Sequence, residues 1–377
     1  MVPASGSYAG GAITVVGINR RRNLSGYNAI SFWARASRAV ALDVAGFGND
    51  NTGTSKYTAQ RAGIALTTDW QQFWIPIPDA ARRTAEGGMF FVSEGPKNGA
   101  AFSFWIDDIE FVNLATISNK VPALTTVTLN GIAGTALGLD GYTKTVFTVT
   151  GLPVTVTPSP AYFDYITSDS SVALPVAGGV QVVGGGTATI TAKLNGISAT
   201  GAVTLNATLP PLTAAPTPTL PASGVISMFS DAYPNVTVDT WSANWNQPAG
   251  VVRVDDISIA GNTTKRYMNL SYAGIDFSAH PIDATAMSAF HLDVWAPTGA
   301  TFLVKLVEYT SSGALSSQSE LTFNATSTPA FTSGAWMPLE IPLADFTALT
   351  SRSHLSQLVI SSPDVKIVYV HNVYFHQ

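Results

Sequence analysis

FWIDDIEFV, residues 104–112, alternates apolar and polar side chains like a β-strand but carries two carboxylates at its centre. Its inner part, WIDDIEF (105–111), matches YVHNVYF (369–375) position by position in apolar character. Ile106 aligns with Val370, Ile109 with Val373 and Phe111 with Phe375. Working outward, AISFWARAS (29–37) parallels AFHLDVWAP (289–297), and WQQFWIPIP (70–78) parallels WMPLEIPLADF (336–346). Order and approximate spacing agree throughout, which marks a repeated domain and not one shared motif. A buried carboxylate is costly unless it is paired or binds a metal. Where the first copy has Asp107 and Asp108, the second has His371 and Asn372, and a catalytic acid pair is not usually exchanged in that way. A polar pair kept at one place in a closing strand predicts a local bulge or a metal-adjacent site.

The chain has 377 residues, too many for one ordinary sandwich, so two or three domains are expected. Only 11% of residues are charged, and short alternating runs are broken by Gly, Pro and Asn. That pattern predicts an all-β protein. LPPLTAAPTPTLPAS, residues 209–223, reads as an extended linker of polyproline character. A softer boundary lies near NLATISNKVP (113–122). The expected organisation is a β-sandwich over 1–114, a second over 118–208, the linker over 209–223 and a third sandwich over 224–377.

The repeat also exposes a gap. The third segment has residues 224–289 ahead of its FHLDVW strand, whereas the first has only 1–29 ahead of ISFWAR. The first sandwich is therefore expected to be N-terminally incomplete, with a bare sheet edge. Either the native protein is longer, the favoured reading, or another chain donates the missing strands, as in strand-complemented fibres. MVPASGSYAGG has neither the basic start nor the apolar core of a signal peptide, which also suits a sequence that begins downstream of the true start.

Net charge is −5 and Arg20–Arg22 form the only tight basic cluster, which argues against nucleic acid as a partner. The longest apolar runs are strand-sized, so membrane insertion is not expected. There are no cysteines, which excludes disulfides, thiolate catalysis and Cys-ligated zinc.

SDSSVA (168–173) followed by GGTATITA (185–192) resembles the group 2 bacterial immunoglobulin-like domain over about 118–208. That resemblance implies a spacer or adhesion module. FSDAY (229–233), NWNQ (244–247), HLDVW (291–295) and YVHNVYF (369–375) resemble jelly-roll carbohydrate-binding modules appended to bacterial polysaccharide-degrading enzymes, including laminarinase-like family 16 glycoside hydrolases. The resemblance covers nearly all of 225–377, and the first segment shares it more loosely. The implied fold is two jelly-roll β-sandwiches, the first incomplete, separated by an immunoglobulin-like one. The implied partner is a polysaccharide, with a β-glucan favoured, and the implied location is extracellular or at a bacterial cell surface.

The residues can be read independently of that resemblance. Alternate positions of a sandwich strand face the core and the outside. Trp33 and Arg35 fall opposite Ile30, Phe32 and Ala34; Trp74 falls opposite Phe73, Ile75 and Ile77; Trp105 falls opposite Phe102, Phe104 and Ile106. In the third segment His291, Asp293 and Trp295 share a face, Lys305 opposes Val304 and Leu306, and Tyr267 and Asn269 oppose Met268 and Leu270. Trp241 and Trp245 lie in a loop-like stretch and are candidate rim contacts. Trp70 and Trp336 head equivalent strands and read as core or edge packing. Flat rings beside polar groups suit a pyranose, whose C–H face stacks on aromatics while hydroxyls bond planar polar groups. For any single tryptophan, structural packing is at least as good a reading.

Jelly-roll modules commonly hold a structural calcium between their first and last strands, so the resemblance implies one here. Asp107 and Asp231 are the candidate ligands; His371 stands where the family has Asp and is a poor ligand for an ion that takes oxygen. At most a site using Asp231 and backbone carbonyls in the third segment is expected. The alternative is that Asp107 faces solvent and Asp108 is hydrogen-bonded at a bulge. No carboxylate cluster suited to glycoside hydrolysis, no G-x-S-x-G and no phosphate loop after Gly184–Gly186 is present, so no catalytic residue is assigned. The leading expectation is a non-catalytic glycan-binding protein, or the binding region of a larger secreted polysaccharide-degrading enzyme. The alternative is a structural adhesin or filament subunit, a homopolymer with strand donation between chains.

Overall fold

The computed structural model describes residues 1–15, 17, 20–243, 245 and 252–377. The chain is all-β, built from paired sheets, in two compact units: Met1–Thr208 and Leu209–Gln377.

The first unit opens with β1 (Ala9–Thr14), β2 (Ala29–Ala36), β3 (Val40–Gly48), β4 (Ala59–Leu66), β5 (Gln71–Pro76), β6 (Gly88–Glu94) and β7 (Phe104–Val112). It continues with β8 (Ile117–Leu124), β9 (Val127–Ile132), β10 (Ala136–Gly138), β11 (Thr143–Val149), β12 (Leu152–Pro158), β13 (Asp164–Thr167) and β14 (Ala173–Val176). It closes with β15 (Gly179–Val182), β16 (Gly186–Leu194), β17 (Ile197–Ser198) and β18 (Val203–Thr208). One sheet runs β1-β6-β3-β4-β12-β11-β8, and a three-stranded sheet runs β5-β2-β7. β16 alternates exposed and buried residues along its length and turns into β17 through Asn195–Gly196, both left-handed, the pair a tight hairpin prefers.

The boundary read near residues 113–122 is bridged by packing. β12 pairs with β4 through Thr157–Gln60 and Pro158–Ala59, and one apolar core includes Phe32, Phe73 and Phe90 together with Val156 and Ile190. A buried cation reinforces the junction. Arg83 is fully buried; its Nη1 donates to the Tyr57 carbonyl at 3.0 Å, Glu86 lies 3.4 Å from Nη2, and its guanidinium sits 4.3 Å from the Phe47 ring centre. Tyr162, from the middle segment, is fully buried beside it, its hydroxyl 3.4 Å from Nη1.

The second unit contains β19 (Val225–Phe229), β20 (Thr240–Ala243), β21 (Arg253–Ile259), β22 (Asn262–Met268), β23 (Tyr272–Asp276) and β24 (Ala289–Trp295). It ends with β25 (Phe302–Tyr309), β26 (Leu315–Phe323), β27 (Met337–Pro342), β28 (Leu355–Ser361) and β29 (Ile367–His376). Its sheets run β21-β22-β29-β24-β27, with β19 also on β29, and β20-β23-β28-β25-β26. Phe290, Leu292, Phe302, Leu358 and Phe375 fill the space between them. Residues 209–221 hold no strand, yet they are packed on this unit: Ala215 is buried, and the Trp336 Nε1 donates to the Thr213 carbonyl at 2.7 Å.

The repeat is visible in register. β2 lies between β5 and β7 as β24 lies between β27 and β29. The β2–β7 ladder slips between Ser31 and Trp33, and the β24–β29 ladder slips at the aligned place, between His291 and Asp293. The bulged residues are Asp108 (φ 47) and Asn372 (φ 51), both left-handed.

Arg83→Ala would leave Glu86 in the interior without its cation. Breaking such a buried pair costs about 3–5 kcal/mol. Chemical denaturation followed by the tryptophans of the first unit should show a loss of that size; a loss within experimental error would refute the bridging role.

Candidate functional site

In the β5-β2-β7 sheet the register sets out the outer face row by row. Trp33 stands between Gln72 on β5 and Asp107 on β7. One row on, Arg35 stands beside Trp105, and Trp70, just ahead of β5, closes the other side. The Arg35 guanidinium lies 5.2 Å from the Trp70 ring centre and 4.8 Å from that of Trp105. A cation between two indoles holds both rings in place. Trp33, Trp70 and Trp105 are 36%, 41% and 43% exposed, while Phe32 and Ala34 on the same strand are fully buried. Arg35 Nε is buried and has no hydrogen-bond partner. Trp74 is half-buried against the core and so contributes less ring to solvent.

Trp70 packs at the sheet edge against Arg35 and is also exposed. Its place two residues before Gln72 and four before Trp74 gives it the outward parity of that strand, a signal available in the sequence.

The aligned face of the second unit is built differently. Trp336, Trp295 and Tyr369 occupy the places of Trp70, Arg35 and Trp105; Asp293 and His371 occupy those of Trp33 and Asp107. Trp295 is only 9% exposed and meets Tyr369 edge-on at 5.4 Å. Residues Leu209–Ala214 and Pro216 border the groove in which Trp295 and Trp336 lie. The Asn372 Nδ2 donates to the Pro216 carbonyl at 2.8 Å and to Asp293 at 2.7 Å, while its Oδ1 accepts from Ser230 at 2.8 Å. His291, Asp293 and Trp295 are therefore brought together, as read, but they are buried: the polyproline-like segment borders Trp295 and is tied through Asn372 to Asp293, and Tyr374 stacks on His291 at 4.6 Å.

Other expectations need correction. Tyr267 is fully buried in the core, its hydroxyl donating to the Trp241 carbonyl at 3.0 Å, so it is not an outward platform. β22 is one strand in from the edge and turns Tyr267 inward, the reverse of the face assumed. Asn269 is a left-handed residue just after β22. Lys305 is on the opposite sheet, paired with Glu320 at 3.2 Å and apart from the His291 group. Trp241 is half-buried, edge-on to Phe229, with the Lys265 ammonium 4.9 Å from its ring centre. Trp245 packs over Gly274, where a Cβ would lie 2.2 Å from the indole. Both are packing residues more than rim contacts. Asn244, Asn246 and Gln247 of the neighbouring motif lie outside the described residues.

At the polar pair, Asp107 is exposed and its Oδ1 accepts from the Asp108 backbone at 2.9 Å, so the bulge reading describes the local geometry. Asp231 accepts from the Thr263 backbone at 2.9 Å and lies 3.7 Å from His371 Nε2. One carboxylate beside an imidazole is not the oxygen set that calcium takes. Among the described residues no group of three or more His, Asp or Glu could hold a metal ion.

Two histidines here have opposite titration. Burial lowers His291, but the Asp293 carboxylate and Glu340, 2.7 Å from Nδ1, outweigh it and leave the group above its ordinary 6.5. Burial dominates at His371 and pushes it below 6.5, with Asp231 and Asp293 offsetting only part.

No family model and no curated protein matches this chain. Solved structures do. A family 30 carbohydrate-binding module of a cellulosomal cellulase of Clostridium thermocellum matches 41% of this chain and 97% of its own, at 13% identity and TM-score 0.31. A family 28 module specific for non-crystalline cellulose matches 45% of this chain and all of its own, at 16% identity and TM-score 0.28. A family 11 module from Clostridium thermocellum, solved with a β-1,3-1,4-mixed-linked tetrasaccharide, matches 41% of this chain and 95% of its own, at 12% identity and TM-score 0.29. At these values the likeness assigns no residue a role.

The second unit should answer pH through both histidines. Folded His291 holds its proton more tightly than unfolded His291, so its contribution is full below pH 6.5 and is lost as pH rises through the folded pKa. Folded His371 holds its proton less tightly, so acidification below pH 6.5 favours unfolding. Denaturation curves across about pH 5–8 should show His291→Gln flattening the loss on the alkaline side and His371→Gln flattening the loss on the acid side. The same slope in both variants as in the parent would contradict these assignments.

Proposed function

We propose that the first unit binds a β-linked glucan on the outer face of the β5-β2-β7 sheet, without catalysing its cleavage. The observation that carries this reading is the exposure of three indoles on one sheet face, two of them held by Arg35. Leaving that much ring in water is unfavourable unless something covers it. A β-1,4-linked stretch of glucan is extended and offers successive pyranose faces along its length to a row of exposed rings; a coiled α-linked chain does not. Gln72 and Asp107 supply hydrogen-bonding groups at the margins of the rings. A two-oxygen acceptor such as Asp107 can take two sugar hydroxyls, and its charge strengthens both bonds.

The middle segment, 118–208, is an immunoglobulin-like support, and the protein works outside the cell, alone or as the binding region of a polysaccharide-degrading enzyme. The second unit, with its corresponding rings beneath residues 209–216, is not the primary glucan site.

Affinity electrophoresis against mixed-linkage β-glucan, xylan and an α-glucan tests this. Retardation is expected in the first. Trp33→Ala and Trp105→Ala should each weaken it by about tenfold or more, as loss of a stacking ring costs roughly 1–3 kcal/mol. Trp295→Ala should leave it unchanged. Equal retardation by every gel, or loss with Trp295→Ala alone, would contradict the assignment.

A further inference from the structure

In the second unit a Pro-rich segment crosses the face that is open in the first. Trp336 stands just ahead of β27, and its Nε1 donates to the Thr213 carbonyl at 2.7 Å. Asn372 lies in β29, and its Nδ2 donates to the Pro216 carbonyl at 2.8 Å. β24 runs between those two strands. Residues 213–216 are therefore pinned on both sides of β24 and run across the strands. The row Trp70, Arg35, Trp105 runs across β5, β2 and β7 in the same way. Three steps of a polyproline helix cover about 9 Å, close to the roughly 10 Å of two strand spacings.

The segment is weakly held. Residues 209–216 form no strand, and only Pro211 and Ala215 among them are buried. Leu212 is 82% exposed. A groove of about 560 Å³ remains between the segment and the indoles of Trp295 and Trp336. The same face holds polar atoms that the segment leaves unsatisfied. Asp293 shares the outward parity of Trp295, and His371 stands opposite it in the ladder. Both are buried, yet Asp293 Oδ1 and both ring nitrogens of His371 have no hydrogen-bond partner. His291 Nε2 stands off from Asp293 at 3.6 Å, and Asp231 from His371 Nε2 at 3.7 Å. A buried polar atom without a partner is costly. The prolines of the segment have no N–H to offer, and the Thr213 and Pro216 carbonyls are already engaged. A polyhydroxylated chain carries O–H groups that both donate and accept, and its C–H faces stack on indoles.

We propose that residues 209–216 are an autoinhibitory strap, an internal ligand seated where a glucan chain would lie, and that lifting it opens a second glucan-binding face made by Trp336, Trp295, Asp293 and His371. This inference rests on the glucan reading of the first face; the two copies then differ in access and not in kind. Pro-rich segments dock on aromatic grooves because their extended conformation is already formed before they seat. Strap and saccharide compete for one face, so the apparent affinity of the second unit is lowered to the extent that the strap is seated. Asn372 keeps its 2.7 Å bond to Asp293 when the strap leaves, so the face survives its opening. The native chain thus presents one open face and holds a second in reserve.

The test uses the full chain with Trp33→Ala and Trp105→Ala, which silence the first face. In that background residues 209–216 are replaced by an equally long Gly/Ser segment. Hydrogen exchange at the Trp336 indole N–H should then be about tenfold faster or more. Retardation in a mixed-linkage β-glucan gel should return, with an affinity about tenfold or more above that of the strap-intact chain. Adding Trp295→Ala should abolish it. Pro211→Gly alone, a change outside any strand, should move both readouts the same way by less, which separates release of the strap from loss of folding. Indole exchange as slow as in the strap-intact chain overturns the inference, as does a freed Trp336 without retardation. Retardation that survives Trp295→Ala overturns it too. Failure of the first-face reading shows separately, as a chain with all its tryptophans that the glucan gel does not retard.

Discussion

The architecture depends on the two-residue period of the central strand of each three-strand core, β2 and β24. With Phe32 and Ala34 committed to the dry interface between sheets, Trp33 and Arg35 have no choice but the other face. The neighbouring strands then decide what those residues meet. β5 and β7 bring Gln72, Asp107 and Trp105 alongside, and the bulge at Asp108 keeps that register from sliding. A slip of one residue would exchange core for surface along the whole strand.

The same scaffold has been given two surfaces. In the first unit the outward rings are braced by Arg35, a charged group whose stem packs while its planar head stacks on indoles. In the second unit the place of Arg35 is taken by Trp295 and that of Trp33 by Asp293, and residues 209–216 lie across them. A buried Asp293 needs donors, and Asn372 supplies one while also tying down the Pro216 carbonyl. Polar pairing there closes a face that aromatic stacking leaves open in the sister copy.

Much of this was legible before any coordinates. The all-β class, the internal repeat, the bulge at the Asp107–Asp108 pair and the outward setting of Trp33, Arg35 and Trp105 all follow from short-range alternation. What was not legible depends on packing from distant residues. Periodicity does not say that 209–216 would cover Trp295, or that Tyr267 would turn inward beneath Trp241. Trp70 precedes its strand and packs on Arg35 at the sheet edge, with the outward parity of Trp74. The softer boundary read near residues 113–122 rests on local composition, which is blind to the ladder between β4 and β12 and to Arg83 reaching Tyr162.

The central claim is that the open indoles of the first unit, and not the covered ones of the second, meet the saccharide. The eight tryptophans each carry one indole N–H, so nuclear magnetic resonance can follow them separately during titration with a soluble mixed-linkage β-glucan. The account predicts shifts for Trp33, Trp70 and Trp105 and none for Trp295 or Trp336. Shifts confined to the second unit, or none at saturating glucan, would contradict it.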